Sequence, residues 1–521
     1  MNATARPLAA PATSARAGLP GWWPLAALML LAAALRLSTL GLQSFWFDEA
    51  FTPVHVLHAS LWDTLRSVVH TENSPPLWYV IAWADASVLG SGEVALRLPS
   101  AIAGIATVAV VWAIGRELAG RRAAIAGAAL VAVNPLFVWY SQEARAYGLY
   151  VFVAALAMLC FVRAERRATR AHMIAFAASG ALALLTHYFS VFLLIPMALW
   201  LLTQPRSRRA AAPAVAAIAL VGAALLPLIS AQGGHGTQWI GHWPLSQRLQ
   251  AIPQYYLTGA SGEPLGHGIE LLIALPLLAA VSLGLWRLAD EPTRADAGSG
   301  AGTAAAGGDH GTVRRQERGA LIAAVLAAGG VLIPLALVPF GADYLAPRNL
   351  LGAMIPLTVL IAVLGVTPAA GRAGLAVTAT LALAFLAITV DVDLSPRLQR
   401  GNWRDLAAVL RGGTPARAIT TVELGAAPLE YYLPGLHNLP RGDTVMLQEI
   451  DETGYSPLRA GAAKPPAPGF RLQQRRNVAG LIMYRFVSPV PRAVSEAALR
   501  RHVITLAHPE VLVAAGVART R

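Results

Sequence analysis

The sequence predicts a mainly α-helical membrane protein: a polytopic bundle of about eleven helices, followed by a small α/β domain at the C-terminal end. The composition is the first reason. Of the 521 residues, 56% are hydrophobic and 13% are charged, whereas a soluble globular protein is about a quarter charged. The second reason is that the apolar residues form long runs, and the third is that this pattern stops near residue 394.

The composition also excludes several classes of protein, namely a cytosolic enzyme, a disordered chain and a fibrous protein. The formal net charge is +13, but the arginines lie between apolar runs, so no nucleic-acid partner is expected. The single cysteine, Cys160, lies in an apolar run. It allows neither an intrachain disulfide nor a cysteine-rich metal site.

Each apolar run predicts one membrane helix, which needs about 20 residues. The first, Gly21–Leu42, contains Arg36 and is too long for a signal-peptide core. It predicts an uncleaved helix after a cytoplasmic tail of residues 1–20. The run 171–203 is too long for one crossing and is predicted to split near His187. The other predicted helices are 98–115, 123–141, 146–162, 210–230, 268–286, 319–342, 349–371 and 373–390.

The orientation follows from the loop charges. Pro75–Gly90 is apolar but short, so it is either a further crossing or a helix on the membrane surface. With eleven crossings, the loops on one side hold 18 arginines and those on the other hold five. The positive-inside rule therefore favours the surface helix. The resulting cell-membrane domain covers 21–393, with an outside loop 43–97 and a flexible inside loop 290–318.

Residues 394–521 have the composition of a soluble domain, placed outside the membrane by the same rule. Alternating apolar residues predict three strands and two helices there. The strands are Ala418–Val422, Thr444–Ile450 and Gly480–Val487, and the helices are Ala426–Leu433 and Ser495–Thr505. A long outside loop, 231–267, contributes further aromatic residues.

Two adjacent carboxylates, Asp48 and Glu49, follow the first helix beside Phe45, Trp46 and Phe47. Aromatic side chains anchor at the membrane–water interface, and acidic groups at that depth are costly unless they are paired or functional. The two acids are therefore candidates for catalysis. The alternative is a solvated cap on the next helix, which acids often provide.

Two further charged groups are expected on the same face. His70 and Glu72 precede a Pro-Pro turn that holds them near the membrane surface, although a plain polar loop would look the same. Glu143 and Arg145 lie in a tight turn between two predicted helices. A local ion pair, worth about 0–1 kcal/mol, is the alternative for these two residues.

Other candidates stand alone. His187, Tyr188, Arg97 and Arg348 are expected near the outer boundary, where such residues are more often interfacial than catalytic. Arg36 lies inside the first apolar run, about three helical turns from the acidic pair. A charge at that depth should face the protein interior and find a partner.

Acids and arginines thus gather at one membrane face, which suits a reaction between a water-exposed acceptor and a lipid-borne anion. A carboxylate such as Asp48 takes the proton of an acceptor hydroxyl, and arginines hold a lipid phosphate. A secondary transporter is the main alternative, but its typical repeated halves and midplane charges are not seen. A non-catalytic envelope assembly protein is the other, and it would not need paired acids beside an aromatic cluster.

Five short motifs occur in an order that is typical of one family. They are FDEAFT at 47–52, NSPPL at 73–77, ALRLPS at 95–100, SQEAR at 141–145 and THY at 186–188. Over about residues 20–390 the chain resembles the polytopic GT-C glycosyltransferases of the family-39-like type, which are related to protein O-mannosyltransferases and aminoarabinose transferases. The C-terminal domain, with NWRD at 402–405, also resembles bacterial members.

The resemblance implies an inverting transfer of one sugar, mannose or arabinose, from a polyprenyl-phosphate donor on the outer face of the cell membrane. The acceptor is a protein, a glycan or a lipid. By the same resemblance Asp48 is the general base, and Glu49 orients it or the acceptor. Glu72 and either Glu143 or Arg145 lie where relatives carry polar site residues.

Arg348 departs from the family pattern, because relatives often carry an Arg-Tyr pair there and this chain has Tyr344 ahead of Arg348. Some relatives bind a divalent cation near the acids. No cluster with metal-ligand spacing is seen here, so no metal or other cofactor is assigned. Eight residues are expected to bind substrate besides Arg348: Arg36, His70, Glu72, Arg97, Glu143, Arg145, His187 and Tyr188.

Overall fold

The computed structural model describes residues 21–233, 238–260, 282, 307–368, 370–456, 464–501, 504 and 508–520. The predicted tail 1–20 lies outside these residues, as do most of the predicted loop 290–318 and, apart from residue 282, the predicted helix 268–286. The described residues are mainly helical and finish in a small domain built on a sheet. The predicted fold class is therefore confirmed.

Every predicted apolar run except 268–286 coincides with a helix or a helix pair. The helices of this part are α1 (Trp23–Leu37), α2 (Phe47–Phe51), α3 (Leu61–Thr71), α4 (Leu77–Leu89), α5 (Glu93–Ala119), α6 (Arg121–Val133), α7 (Pro135–Ser141), α8 (Tyr147–Arg167), α9 (Arg170–Thr186), α10 (Val191–Thr203), α11 (Arg208–Gln232), α12 (Gln238–Gly241), α13 (Leu245–Thr258), α14 (Gly307–Leu337), α15 (Leu351–Gly365) and α16 (Gly371–Leu394).

Of these helices, six are long and apolar enough to cross a membrane, and α6 with α7 would make a seventh within the described ranges. Four shorter apolar helices accompany them, among them α1 and α4. α4 is about 20 Å long, which is less than the roughly 30 Å of a bilayer core. The membrane orientation stays a prediction.

Helix breaks follow from local chemistry. The run 171–203 is divided at His187 into α9 and α10, as predicted. The run 123–141, predicted to be one helix, is two helices bent by 58°. The Asn134 side chain accepts hydrogen bonds from the backbone N–H groups of Leu136 and Phe137 and so caps α7, and Pro135 has no N–H to continue α6.

The outer loop after α1 is smaller than predicted, because α5 already begins at Glu93. Arg97 therefore lies on a helix and not in a loop. α1 in turn ends at Leu37, before the predicted Leu42. Between them, α2, α3 and α4 give the outer region its own helical structure.

The C-terminal domain is a mixed sheet of seven strands in the order β2-β6-β1-β3-β5-β4, with β7 beside β3. β1 and β3 are parallel, and the other pairs are antiparallel. The elements are α17 (Trp403–Leu410), β1 (Arg417–Thr421), α18 (Ala426–Tyr432), β2 (Leu436–Asn438), β3 (Thr444–Tyr455), β4 (Arg471–Val478), β5 (Leu481–Ser495), α19 (Glu496–Arg501), β6 (Glu510–Ala514) and β7 (Arg519–Thr520). The three predicted strands correspond to β1, β3 and β5, and the two predicted helices to α18 and α19.

This domain packs onto the outer loop that follows α1. Trp403 donates its backbone N–H to the Ser44 hydroxyl at 3.0 Å. The Tyr432 hydroxyl accepts the backbone N–H of Phe45 at 2.8 Å and also contacts Glu93, the first residue of α5. The chain segment between α16 and α17 is thereby fixed over the outer end of the bundle.

Candidate active site

Glu49 is fully buried in a paired contact with Arg97. Arg97 donates from Nε to Oε1 at 2.7 Å and from Nη2 to Oε2 at 2.6 Å, and the Ala144 N–H donates to Oε1 at 2.8 Å. Burial alone raises the pKa of Glu49, but Arg97, Arg400 and the Ala144 N–H together outweigh burial, and the pKa lies below its ordinary value. Arg97 also donates to the carbonyls of Leu40 and Gln43. The pair therefore fastens α2 and the end of the α1 loop to α5.

Asp48 has the opposite environment, because neighbouring residues on a helix point about 100° apart. Its side chain is 20% exposed, and its Oδ2 accepts a hydrogen bond from Arg348 Nη1 at 3.2 Å. The Arg348 guanidinium lies 4.6 Å from the ring centroid of Trp239. Asp48 is thus the accessible member of the acidic pair, held by a cation from the start of α15.

A third ion pair supports the same region. Arg145 donates to both carboxylate oxygens of Glu72, at 3.2 Å and 3.0 Å, and the Tyr79 hydroxyl donates to Glu72 at 2.6 Å. Arg145 also approaches the backbone carbonyl of Asp48 at 3.4 Å. The motifs before α4 and before α8, distant in sequence, therefore meet beneath α2.

A cavity of about 410 Å³ is lined in part by Arg348, the residue that donates to Asp48. Its wall contains seven aromatic rings, four arginines and one carboxylate. These are Trp46, Trp139, Tyr140, Tyr147, Trp239, Trp243 and Tyr255, then Arg248, Arg348, Arg397 and Arg400, and Glu143. Aromatic faces and guanidinium groups are the side chains that bind sugar rings and phosphates.

Glu143 is the carboxylate of this wall and is almost fully buried. One oxygen contacts Arg400, and Oε2 has no hydrogen-bond partner. Burial raises the pKa of Glu143 to about 7, against the effect of Arg400, and the negative charges of Glu49 and Asp48 add to the rise. Glu143 therefore changes charge near neutral pH.

The sequence did not single out Arg400 or Arg397, although it placed Trp46 beside the acidic pair and further cavity rings in the loop 231–267. Both arginines follow α16 directly, on the face where the positive-inside rule expects few cations. Two arginines on that face were therefore the sequence feature that could have identified them as site residues. Arg248, counted only as an outside arginine, binds Asp343 at 2.5 Å in the same wall.

Of the predicted site residues, only Glu143 and Arg348 line the cavity. Five others form the ion pairs described above: Asp48, Glu49, Glu72, Arg97 and Arg145. The remaining four belong to neither group. Arg36 is fully buried and donates to backbone carbonyls of Ala32, Val131 and Ala132, with Ser141 as a side-chain partner. It has the interior partner that was expected, although none is an acid. Each of the other three residues has a different environment. His187 stacks on Tyr150, Tyr188 donates to Gln232, and His70 is exposed at the end of α3.

A divalent cation does not fit these residues. Among the described residues, no three His, Cys, Asp or Glu side chains come together. The four acids of the site each face an arginine: Asp48 with Arg348, Glu49 with Arg97, Glu72 with Arg145 and Glu143 with Arg400. Hard cations are coordinated by several oxygen ligands at once, and the described residues bring no such group together.

Comparison with known proteins gives two results. Residues 73–230 match the family described as dolichyl-phosphate-mannose-protein mannosyltransferase. ArnT from Cupriavidus metallidurans, solved bound to undecaprenyl phosphate, has a similar structure with a TM-score of 0.54 and 13% identity. The similarity covers 89% of this chain and 98% of ArnT. The apo form of ArnT gives a TM-score of 0.52 at the same identity and coverage.

No curated protein sequence matches the chain. The similarity to ArnT extends over both the helical bundle and the C-terminal domain, as its coverage requires. The shared fold is that of the GT-C glycosyltransferases, which the motif order had led us to expect.

Proposed function

We propose that this membrane glycosyltransferase of the GT-C fold moves one sugar from a polyprenyl-phosphate donor to an acceptor on the outer face of the cell membrane. The observation that carries the proposal is the position of Arg348. One guanidinium both binds Asp48 and lines the aromatic cavity. A base and a site for an anionic donor thus lie side by side.

In the proposed reaction Asp48 takes the proton of the acceptor hydroxyl. The hydroxyl oxygen forms a bond to the anomeric carbon, and the bond from that carbon to the phosphate oxygen breaks. The electron pair leaves with the phosphate, which becomes polyprenyl phosphate. Because attack and departure occur on opposite sides of the carbon, the configuration inverts. Arg348 stabilises the phosphate as its negative charge grows.

The wall chemistry supports a phosphate-linked sugar as the donor. Arg348 and Arg397 offer charge-assisted hydrogen bonds to a phosphate, and the aromatic rings offer faces for a sugar. ArnT, with the same fold, has been solved with undecaprenyl phosphate bound. The resemblance implies mannose or arabinose as the sugar. Mass spectrometry of envelope glycans, glycoproteins and lipids from a deletion strain would identify the donor sugar and the acceptor through the sugar that is missing.

The first prediction concerns donor binding. Arg348→Ala is expected to weaken binding of undecaprenyl phosphate by about 10- to 100-fold, the loss expected for a charged hydrogen bond of roughly 1.5–3 kcal/mol. Arg348→Lys should recover part of this loss. Binding is measured by titrating the lipid into the purified protein. Arg372→Ala, an exposed arginine at the start of α16, is the matched control; equal affinities in both alanine variants would contradict the assignment.

The second prediction concerns membrane orientation. A cysteine introduced at Ala59, exposed in the outer loop, should react with a membrane-impermeant maleimide in intact cells. A cysteine at Arg122, exposed at the start of α6, should react only after permeabilisation. Both are made in a Cys160→Ala background, since this is the chain's one cysteine. The reverse labelling pattern would place Asp48 in the cytoplasm and end the proposal.

A further inference from the structure

The segment Ser395–Gly401 joins α16 to the C-terminal domain and forms one wall of the cavity. Arg397, Leu398, Gln399 and Arg400 all line it. The segment is held in place at several points. The Arg400 N–H donates to the Gln43 side chain at 3.0 Å, and the Gln399 amide donates to the carbonyl of Asp393 at 2.9 Å. These hydrogen bonds fix the wall in place, and the one to Gln43 makes its position depend on the outer loop after α1.

The Arg400 side chain is the centre of that wall. Its guanidinium lies 5.0 Å from the ring centroid of Trp46 and 4.2 Å from that of Trp139. One N–H group contacts Glu143, and another reaches Glu49 Oε2 at 3.4 Å. Because its amino groups face carboxylates and its plane faces indoles, Arg400 is engaged by protein groups rather than held ready for phosphate.

We propose that Arg400 is a positioning residue of the donor site, which holds Trp46, Trp139 and the Glu143 carboxylate in the arrangement that receives the donor sugar. This inference rests on the proposed function. Arg400 lies in the segment between α16 and α17, and the wall it forms is the part of the cavity nearest in sequence to the C-terminal domain. The segment Ser395–Gly401 thus takes part in donor binding without supplying the base.

The charges around Glu143 make this role measurable. The ionisable groups that face it are Arg400, Arg348, Glu49, Asp48, Tyr140, Tyr147 and Tyr255. Arg400 is the cation that most opposes the effect of burial. Its removal should raise the pKa of Glu143 above about 7. Glu143 would then be protonated at neutral pH and would accept less strongly from a sugar hydroxyl.

The test compares Arg400→Ala and Arg400→Lys with Arg476→Ala, an exposed arginine of β4. Full-length protein in liposomes receives undecaprenyl-phosphate mannose labelled in the sugar, with envelope from a deletion strain as acceptor. Arg400→Ala should raise the donor KM at least 10-fold and shift the acidic limb of the pH–rate profile to higher pH. Arg400→Lys should restore part of both. Glu143→Gln should remove the limb, and Arg476→Ala should match the wild type.

Two results would overturn the inference. One is that Arg400→Ala has the donor KM and the acidic limb of the wild type. The other is that the acidic limb of the pH–rate profile persists in Glu143→Gln. Thermal melting checks that the variants are folded, and Arg400→Lys carries the test if Arg400→Ala is not. Failure of the proposed function looks different. In that case the wild-type protein itself would neither bind undecaprenyl phosphate nor transfer any sugar from it.

Discussion

Asp48→Asn is expected to abolish sugar transfer while the protein stays folded and inserted. The amide cannot take the proton of the acceptor hydroxyl, and general-base catalysis contributes about 10²- to 10⁴-fold to a rate. The change keeps the size of the side chain and an oxygen that can accept from Arg348, 3.2 Å away in the wild type. Transfer from undecaprenyl-phosphate mannose by the purified variant is the measurement, with undecaprenyl phosphate binding recorded beside it.

The matched control is Asp63→Asn, which removes a carboxylate from the same outer region. Asp63 is on α3, half exposed, and pairs only weakly with Arg66 at 3.6 Å. Its replacement should leave transfer unchanged. If Asp48→Asn retained the wild-type rate, the base would have to be another group, and the mechanism would be wrong.

The second large effect is on folding. Arg97→Ala should destabilise the protein by about 3–5 kcal/mol, because it leaves the buried Glu49 carboxylate with only the Ala144 N–H and a longer contact with Arg400. Arg97 and Glu49 are both buried, so solvent screening is slight. Arg66→Ala breaks the exposed pair with Asp63 and should cost only about 0–1 kcal/mol. Unfolding midpoints in detergent, together with the yield of inserted protein, compare the two.

A double variant separates charge from shape. Replacing Arg97 by Met and Glu49 by Leu removes both charges and should recover much of the stability lost in Arg97→Ala. If Arg97→Ala alone melted like Arg66→Ala, the buried pair would not be what fixes α2 to α5.

The stability that the Arg97–Glu49 pair contributes also depends on pH. The pKa of Glu49 is lowered by folding, so its stabilisation is present above the ordinary carboxyl pKa and is lost as the pH falls below it.

The sequence could predict the bundle because membrane helices must satisfy their hydrogen bonds within the segment. Runs such as 146–162 and 373–390 are therefore visible from composition alone. The bend at Asn134 was missed, since the run 123–141 has no charge to mark it. In the C-terminal domain, β4 was missed because Arg471–Val478 is mostly polar and exposed, so it lacks the apolar alternation that marks a strand.

For the site, sequence reasoning found charged residues but could not pair them. Asp48 and Glu49 are adjacent and chemically alike, and only the packing of α2 tells that one faces the cavity region and the other Arg97. Their partners lie far along the chain: Arg348 is 300 residues from Asp48. Arg400 was not predicted, because the residues next to it in the sequence do not indicate that it packs against two indole rings.

The contacts between the outer loop and the C-terminal domain set an order for making the protein. The Ser44 hydroxyl meets the carbonyl of Gly401, 357 residues later, and Arg404 meets Glu93 across 311 residues. At about 5–20 residues per second, the ribosome needs roughly 15–70 s to supply these partners. During that interval the loop that carries Asp48 is inserted but unfinished. A ribosome stalled before residue 400 would leave an inserted helical bundle without the C-terminal residues that contact the loop carrying Asp48.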